Sequence, residues 1–181
     1  MTQFEFVSAG LTIVLALGIA RLLEGVSDSY DPARRYWLHF LWVITKLMHS
    51  AALFWSAWLV RDVPDRTFFQ FLGLIATPSI FYLQVHALVT RTPEAVLDWR
   101  EHFWKIRRWF FAANGLQVLV SASLNWANSE SMDVRFSTLA VVLLFSIVGF
   151  FSSNERVHFA IVIVVFLNLM MSFRAFSYQN L

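Results

Sequence analysis

The chain alternates long apolar runs with short polar connections. Each run has about the 20 residues that a helix needs to cross the hydrocarbon core of a bilayer. Connections such as Asp31-Pro32 and Pro64-Asp65 contain residues typical of turns. We therefore predict an all-α polytopic membrane protein, a single bundle over residues 1–181. Its six predicted transmembrane helices cover about 5–27, 36–60, 67–90, 109–128, 135–153 and 156–176.

The segment 91–108 is too polar to cross a bilayer. Thr92-Pro93-Glu94 resembles a helix start, with an N-cap residue, a proline and an acidic residue. Apolar residues then recur at helical spacing, at Val96, Trp99, Phe103 and Ile106. This pattern predicts an interfacial amphipathic helix at about 93–108. Its basic residues favour anionic lipids or a protein partner at 91–108, although a simple basic connector would have the same composition.

Composition supports the membrane interpretation. Only 14% of the 181 residues are charged and 58% are hydrophobic, whereas a soluble domain has roughly 25% charged residues. Cysteine is absent, which excludes disulfides, thiolate metal sites and cysteine nucleophiles. The formal net charge of +2 gives no reason to expect a nucleic-acid partner.

Lysine and arginine are distributed unequally between the two sets of predicted loops. The loops after the first, third and fifth helices hold eight basic residues, and the opposite side holds four. Because cytoplasmic loops are enriched in these residues, both termini are predicted to be periplasmic. The N-terminus has no basic region of the signal-peptide type, so we expect a retained helix there. The larger set is Arg34, Arg35, Arg91, Arg100, Lys105, Arg107, Arg108 and Arg156; the smaller is Arg61, Arg66, Arg135 and Arg174.

Polar residues form stripes along five of the six predicted helices when they are projected at helical spacing. Such faces avoid lipid, since an unsatisfied donor in hydrocarbon is costly. We expect these stripes to face one another in the bundle interior, with the fifth helix most exposed to lipid. The predicted intramembrane polar cluster comprises Arg21, Glu24, His39, Lys46, His49, Gln84, His86, Asn114, Gln117, His158 and Asn168.

Lys46 is the most informative of these residues because it lies near the middle of the second predicted span. An unpaired charge there costs several kcal/mol, so Lys46 has a partner, faces water or is neutral. No Asp or Glu occupies a mid-span position, which favours an anion or a polar headgroup over a cation as any ligand. Amides near Lys46 are equally compatible with simple packing contacts between helices.

Histidines within the predicted spans are candidates for ligating a cofactor. His39 and His86 lie on different helices at similar depth, the minimum for haem ligation by two histidines. A hydrogen-bonded pair of histidines is the alternative. Neither a cofactor nor a metal is otherwise predicted. Catalytic and nucleotide-binding motifs are missing from the sequence, so we do not expect an enzyme.

Two short motifs resemble those of a broad group of small, uncharacterised bacterial inner-membrane proteins. The first is Leu17-Gly18-Ile19-Ala20-Arg21-Leu22-Leu23, and the second combines His39-Phe-Leu-Trp42 with Phe54-Trp55. The resemblance implies a multi-pass bacterial protein over about the first 90 residues. It implies no activity.

Three functional hypotheses follow. The first is a non-catalytic accessory or scaffold subunit of a larger inner-membrane complex, for which 19 Phe and 8 Trp provide rigid contact area. The alternative is a homo-oligomeric channel or carrier, with Lys46 and amides along a polar path. The third is a haem-binding redox protein. Expected partners are other membrane subunits, copies of the chain itself and lipids.

Overall fold

The structure is a computed structural model that describes residues 3–59, 67–90, 92–128 and 134–178. Within these residues the chain forms six α-helices and one short 3-10 turn, without strands. The all-α prediction is therefore confirmed. The helices are α1 (Gln3–Tyr30), α2 (Trp37–Leu59), α3 (Phe68–Leu88), α4 (Trp99–Asn128), α5 (Val134–Phe151) and α6 (Glu155–Tyr178), and the turn is Pro93–Ala95.

The helices form a ring in the order α1, α3, α4, α5, α6, α2, which closes through a contact between α2 and α1. In addition α2 contacts α3 and α4, so α2 has four neighbouring helices and lies deepest in the bundle. This position explains why Lys46, in the middle of α2, is removed from the outer surface.

Hydrogen bonds between helix termini show which helix ends lie together. Trp99 at the start of α4 donates to the Asp28 carbonyl near the end of α1, over 3.0 Å. Arg100 pairs with Glu155 at the start of α6, over 2.8 Å. We call this the basic end: here α1, α3 and α5 end and α2, α4 and α6 begin. The first turn of α1 and the last turn of α6 lie towards the opposite end.

The segment 93–108 differs from the predicted separate interfacial helix. It contains the 3-10 turn Pro93–Ala95, and from Trp99 onwards it is the beginning of α4. Thr92 makes no side-chain cap. Trp99 and Phe103 are fully buried in the hydrophobic core of the bundle. The face predicted to enter the headgroup region thus packs against protein, because the other helices supply the apolar surface that it needs.

Three helices in the described part of the chain are long and apolar enough to cross a membrane: Ser8–Tyr30, Phe68–Leu88 and Glu155–Arg174. A shorter apolar helix covers Phe136–Phe151. Helix α2, which carries Lys46, His39 and His49 and contacts four other helices, is not among these three. Six membrane spans are therefore not established, although the three apolar helices fit a membrane protein.

Candidate functional site

Lys46 is the centre of a buried polar network. Its side chain is only 2% exposed. The ammonium group donates one hydrogen bond to Oε1 of Gln84 on α3 and another to Oδ1 of Asn114 on α4, over 2.7 Å. Nζ also lies 5.9 Å from the ring centroid of Phe81 and 5.3 Å from that of Phe110. Two amide oxygens and two aromatic rings therefore surround the side-chain nitrogen, an arrangement that suits a cation.

The first branch of the network continues from Gln84. Its amide nitrogen Nε2 donates to Oε1 of Gln117 over 3.0 Å. Gln117 in turn donates from Nε2 to the main-chain carbonyl of Thr77, over 3.4 Å. Thr77 precedes Pro78, which lies inside α3 and lacks an N–H group. This branch therefore joins α2, α3 and α4, and its last acceptor is the main-chain carbonyl of Thr77, the residue before the proline.

The second branch continues from Asn114. Its Nδ2 donates to the hydroxyl of Ser146 on α5 over 2.9 Å, and that hydroxyl donates to the Val142 carbonyl over 2.7 Å. In both branches the amide oxygen faces Lys46 and the amide nitrogen faces away. This orientation places the negative ends of the amide dipoles towards the ammonium group. The interior network, defined as Lys46, Gln84, Asn114, Gln117 and Ser146, therefore surrounds the lysine nitrogen with acceptor oxygens of neutral partners.

The structure brings together three of the predicted polar stripes but leaves His49 at their margin. The ring of His49 packs edge-on against Phe81, with centroids 5.7 Å apart. Among the described side chains, none of the hydrogen bonds of the interior network involves His49. Ser146 completes the network on α5, the helix that the sequence pattern placed outermost. Its only signal in the sequence is a hydroxyl within a run of apolar residues.

A second group of polar side chains lies at the basic end, where it binds the last carbonyls of α3. His39 contacts the Leu88 carbonyl through Nε2 over 2.9 Å, and His102 contacts the Ala87 carbonyl over 3.0 Å. Because a carbonyl only accepts, each Nε2 carries the proton. The His39 ring stacks on Trp99, with centroids 4.5 Å apart. These histidines satisfy the orphan carbonyls at the end of a helix.

Arg21 also contributes to this group. It pairs with Glu24 over 2.8 Å, as the helical spacing predicts, and its Nε donates to the Val89 carbonyl over 3.3 Å. Nothing in the sequence indicated that Trp99 would stack on a histidine of α2 or that His102 would bind a carbonyl at the end of α3. Both lie in the segment that was interpreted as an interfacial helix.

His158 lies in the first turn of α6, among aromatic rings. Its Nε2 contacts the Ser152 carbonyl over 2.9 Å, and the nearly buried Arg107 donates to the same carbonyl. The ring centroid of Trp104 is 5.1 Å from that of His158. Asn168 is separate from these groups and makes a long contact, 3.4 Å, with the Thr138 carbonyl.

The two histidines considered for haem ligation have different surroundings. His39 is fully buried, with Nε2 directed at the Leu88 carbonyl. His86 is half-buried and stacks on Tyr82, with centroids 6.2 Å apart. His39 has His102 as its neighbouring histidine, at 5.9 Å between centroids. Within the residues that the structure describes, no group of three or more metal-ligating side chains is present.

The fold and these sites together define an all-helical protein whose apolar core encloses a polar network and whose surface exposes many large apolar side chains, which fits the class of helical membrane proteins. Comparisons with protein-family models, with curated proteins and with solved structures find no significant match. The resemblance to small bacterial inner-membrane proteins therefore stays a hypothesis.

Proposed function

We propose that the chain is an integral protein of a bacterial cytoplasmic membrane, that all six helices cross it, and that both termini are periplasmic. Support comes from the distribution of side chains. Lys46, Gln84 and Asn114 are buried, whereas large apolar side chains of several helices, such as Leu17 and Leu144, are exposed. A soluble protein would bury most of its large apolar side chains and would expose its lysine and amide side chains to water. The basic loops at one end of the bundle agree with a cytoplasmic face.

We further propose that the protein is a non-catalytic accessory or scaffold subunit of a larger membrane complex. The observation that carries this proposal is the closure of the interior network. Both of its branches begin at Lys46 and end on main-chain carbonyls, at Thr77 and at Val142. The interior polar groups thus hold α2, α3, α4 and α5 together. The surface that remains for recognition is the outer, lipid-facing one.

Exposed aromatic side chains mark one part of that outer surface. They lie towards the end opposite the basic end, where α2 and α4 terminate and α3 begins. Phe69 is 79% exposed, and Phe68 and Trp126 are exposed by 70% and 67%. The rings of Phe68 and Phe71 stack, with centroids 6.4 Å apart. Rigid aromatic side chains supply much of the binding energy at protein interfaces, so we place the contact with a partner helix here.

Mass spectrometry of the protein extracted gently from its native membrane tests this function. We expect foreign subunits in fixed stoichiometry. The Phe69→Ala variant should lose them, while Ile163→Ala, an exposed position on α6, should keep them. Recovery of the chain alone, or only as copies of itself, would overturn the scaffold proposal.

A homo-oligomeric channel or carrier is the second candidate. The observation that favours it is that, among the described residues, Lys46 donates its side-chain hydrogen bonds to the neutral amides of Gln84 and Asn114. A mobile anion could therefore provide the compensating charge. In proteoliposomes Lys46→Met should abolish anion flux, because methionine fills similar space without a charge. Flux with unchanged selectivity after this substitution would exclude a transport role for Lys46.

A further inference from the structure

The corner between α1 and α2 is held firmly against the segment that precedes α4. Asp31 accepts hydrogen bonds from the Ala33 N–H over 3.0 Å and from Arg34 over 2.9 Å. These contacts lower the pKa of Asp31 below its ordinary value, the bond from Ala33 being the larger cause. Arg34 also donates to the carbonyls of Pro93 and Val96, over 2.9 and 3.0 Å. The corner therefore has a defined shape in which Arg34 faces inward.

Arg35, the next residue, is exposed and lies on an aromatic surface. Its guanidinium carbon is 4.4 Å from the ring centroid of Trp37 and 5.8 Å from that of Tyr30. The two rings meet edge to face at 6.5 Å, and Phe40 packs against both, at 5.9 and 5.7 Å. Tyr30 and Trp37 are exposed by 54% and 47%. A cation is thus held in a fixed position at the outer surface.

Three other basic side chains at this end have partners within the protein. Arg34 binds Asp31 and two carbonyls, Arg100 pairs with Glu155, and Arg107 is buried and donates to a carbonyl. The guanidinium of Arg35, by contrast, contacts aromatic faces, and its N–H groups donate no hydrogen bond to any residue that the structure describes. A planar guanidinium with free donors matches the geometry of a phosphate group.

The surroundings favour a lipid as the source of that phosphate. Tyr and Trp are enriched where headgroups meet hydrocarbon, and the cytoplasmic leaflet carries anionic lipids that attract basic residues. Leu23 lies seven residues before Tyr30, hence on the same face of α1, and its side chain is 57% exposed. It provides an apolar surface about two helical turns below the cation, at the depth of an acyl chain.

We propose that Arg35, Trp37 and Tyr30 form a binding site for the phosphate of an anionic phospholipid headgroup, with Leu23 contacting the acyl chain. This inference rests on the proposed membrane location of the basic end. It places the anionic lipid at the α1–α2 corner, outside the segment 91–108 for which the sequence predicted it.

The test is lipid retention by the purified full-length protein in native mass spectrometry, titrated with phosphatidylglycerol or with phosphatidylcholine. We expect the wild type to retain phosphatidylglycerol in preference, and Arg35→Gln to weaken retention by about tenfold, since a charge-assisted hydrogen bond is lost. Arg108→Gln and Arg156→Gln, exposed positions at the same end, should retain it as the wild type does. Equal losses in all three variants, or none in Arg35→Gln, would overturn the site.

Two further arms keep the result interpretable. Arg35→Lys retains the charge but not the planar group, so it should also weaken retention while leaving the helical circular dichroism unchanged. Inorganic phosphate should not displace the lipid; displacement at millimolar concentration would show a site for free phosphate and overturn the lipid assignment. Because retention is measured in detergent, failure here is distinguishable from failure of the proposed scaffold function, which is judged by co-purifying subunits.

Discussion

Lys46 shows how the energetics of one residue shape the interior. Burial of an ammonium group is costly, and a carboxylate is the partner that would compensate it fully. Here two amide oxygens and the faces of Phe81 and Phe110 are used instead. The sequence left three states open for Lys46: paired, hydrated or neutral. The structure shows Lys46 paired with the amides of Gln84 and Asn114. The polar stripes on α3 and α4 are compatible with this pairing, but they did not predict which residues would contact the lysine.

Substitution of Asn114 tests the charge on Lys46. Asn114→Leu removes one of the two hydrogen bonds to the ammonium group, so we expect it to lower the free energy of unfolding by about 1.5–3 kcal/mol. Asn114→Asp places a carboxylate in the same position and should raise thermal stability above that of Asn114→Leu, because an opposite charge then pairs with the lysine. Thermal unfolding in detergent measures both.

The matched control is Asn168→Leu. Asn168 is half-buried and makes only a long bond to a carbonyl, so its loss should have little effect. If Asn114→Leu were as stable as the wild type, the interior network would contribute nothing to holding the helices together.

At the scale of elements, the apolar runs predicted the helices closely because a helix of about 20 apolar residues has few alternatives. For example, 36–60 was predicted and Trp37–Leu59 is observed. The prediction of a separate interfacial helix at 93–108 was wrong. Its apolar face, including Trp99 and Phe103, has the same periodicity whether it contacts lipid or protein. Only the positions of the neighbouring helices distinguish the two, and these depend on long-range packing.

Gly25 illustrates close packing between α1 and the end of α3. A Cβ atom at this position would overlap with both γ-methyl carbons of Val89. Gly25→Ala should therefore lower stability by about 1–3 kcal/mol through overpacking. Gly10, which has nothing within 4 Å of such an atom, should tolerate alanine or gain stability, since alanine favours helix.

The cause is tested by a compensating change. Val89→Ala in the Gly25→Ala background removes the methyl groups in question and should recover part of the lost thermal stability. Equal effects of Gly25→Ala and Gly10→Ala would show that helix propensity, and not the contact with Val89, determines the response.

At the scale of the whole molecule, the polar stripes predicted that eleven polar residues would cluster in the interior, because helices in lipid turn their polar faces towards one another. Four of them, Lys46, Gln84, Asn114 and Gln117, are joined by hydrogen bonds. The stripes could not specify neighbours. The same periodicity on α6 placed Asn168 in the predicted cluster, yet it lies apart from the interior network. The order of helices around the ring decides which stripes touch, and no local pattern encodes that order.

The position of the helix ends leads to a prediction about topology. Because the chain has no cysteine, a single introduced cysteine reports its own side of the membrane. Ala33, Leu97 and Ser153 are exposed in three different connections at the basic end. We expect Ala33→Cys, Leu97→Cys and Ser153→Cys to resist an impermeable maleimide in intact cells and to react after permeabilisation, whereas a cysteine added at either terminus reacts at once. Labelling of one connection from the other side would exclude six spans. Uniform reversal would keep six spans and place the termini in the cytoplasm.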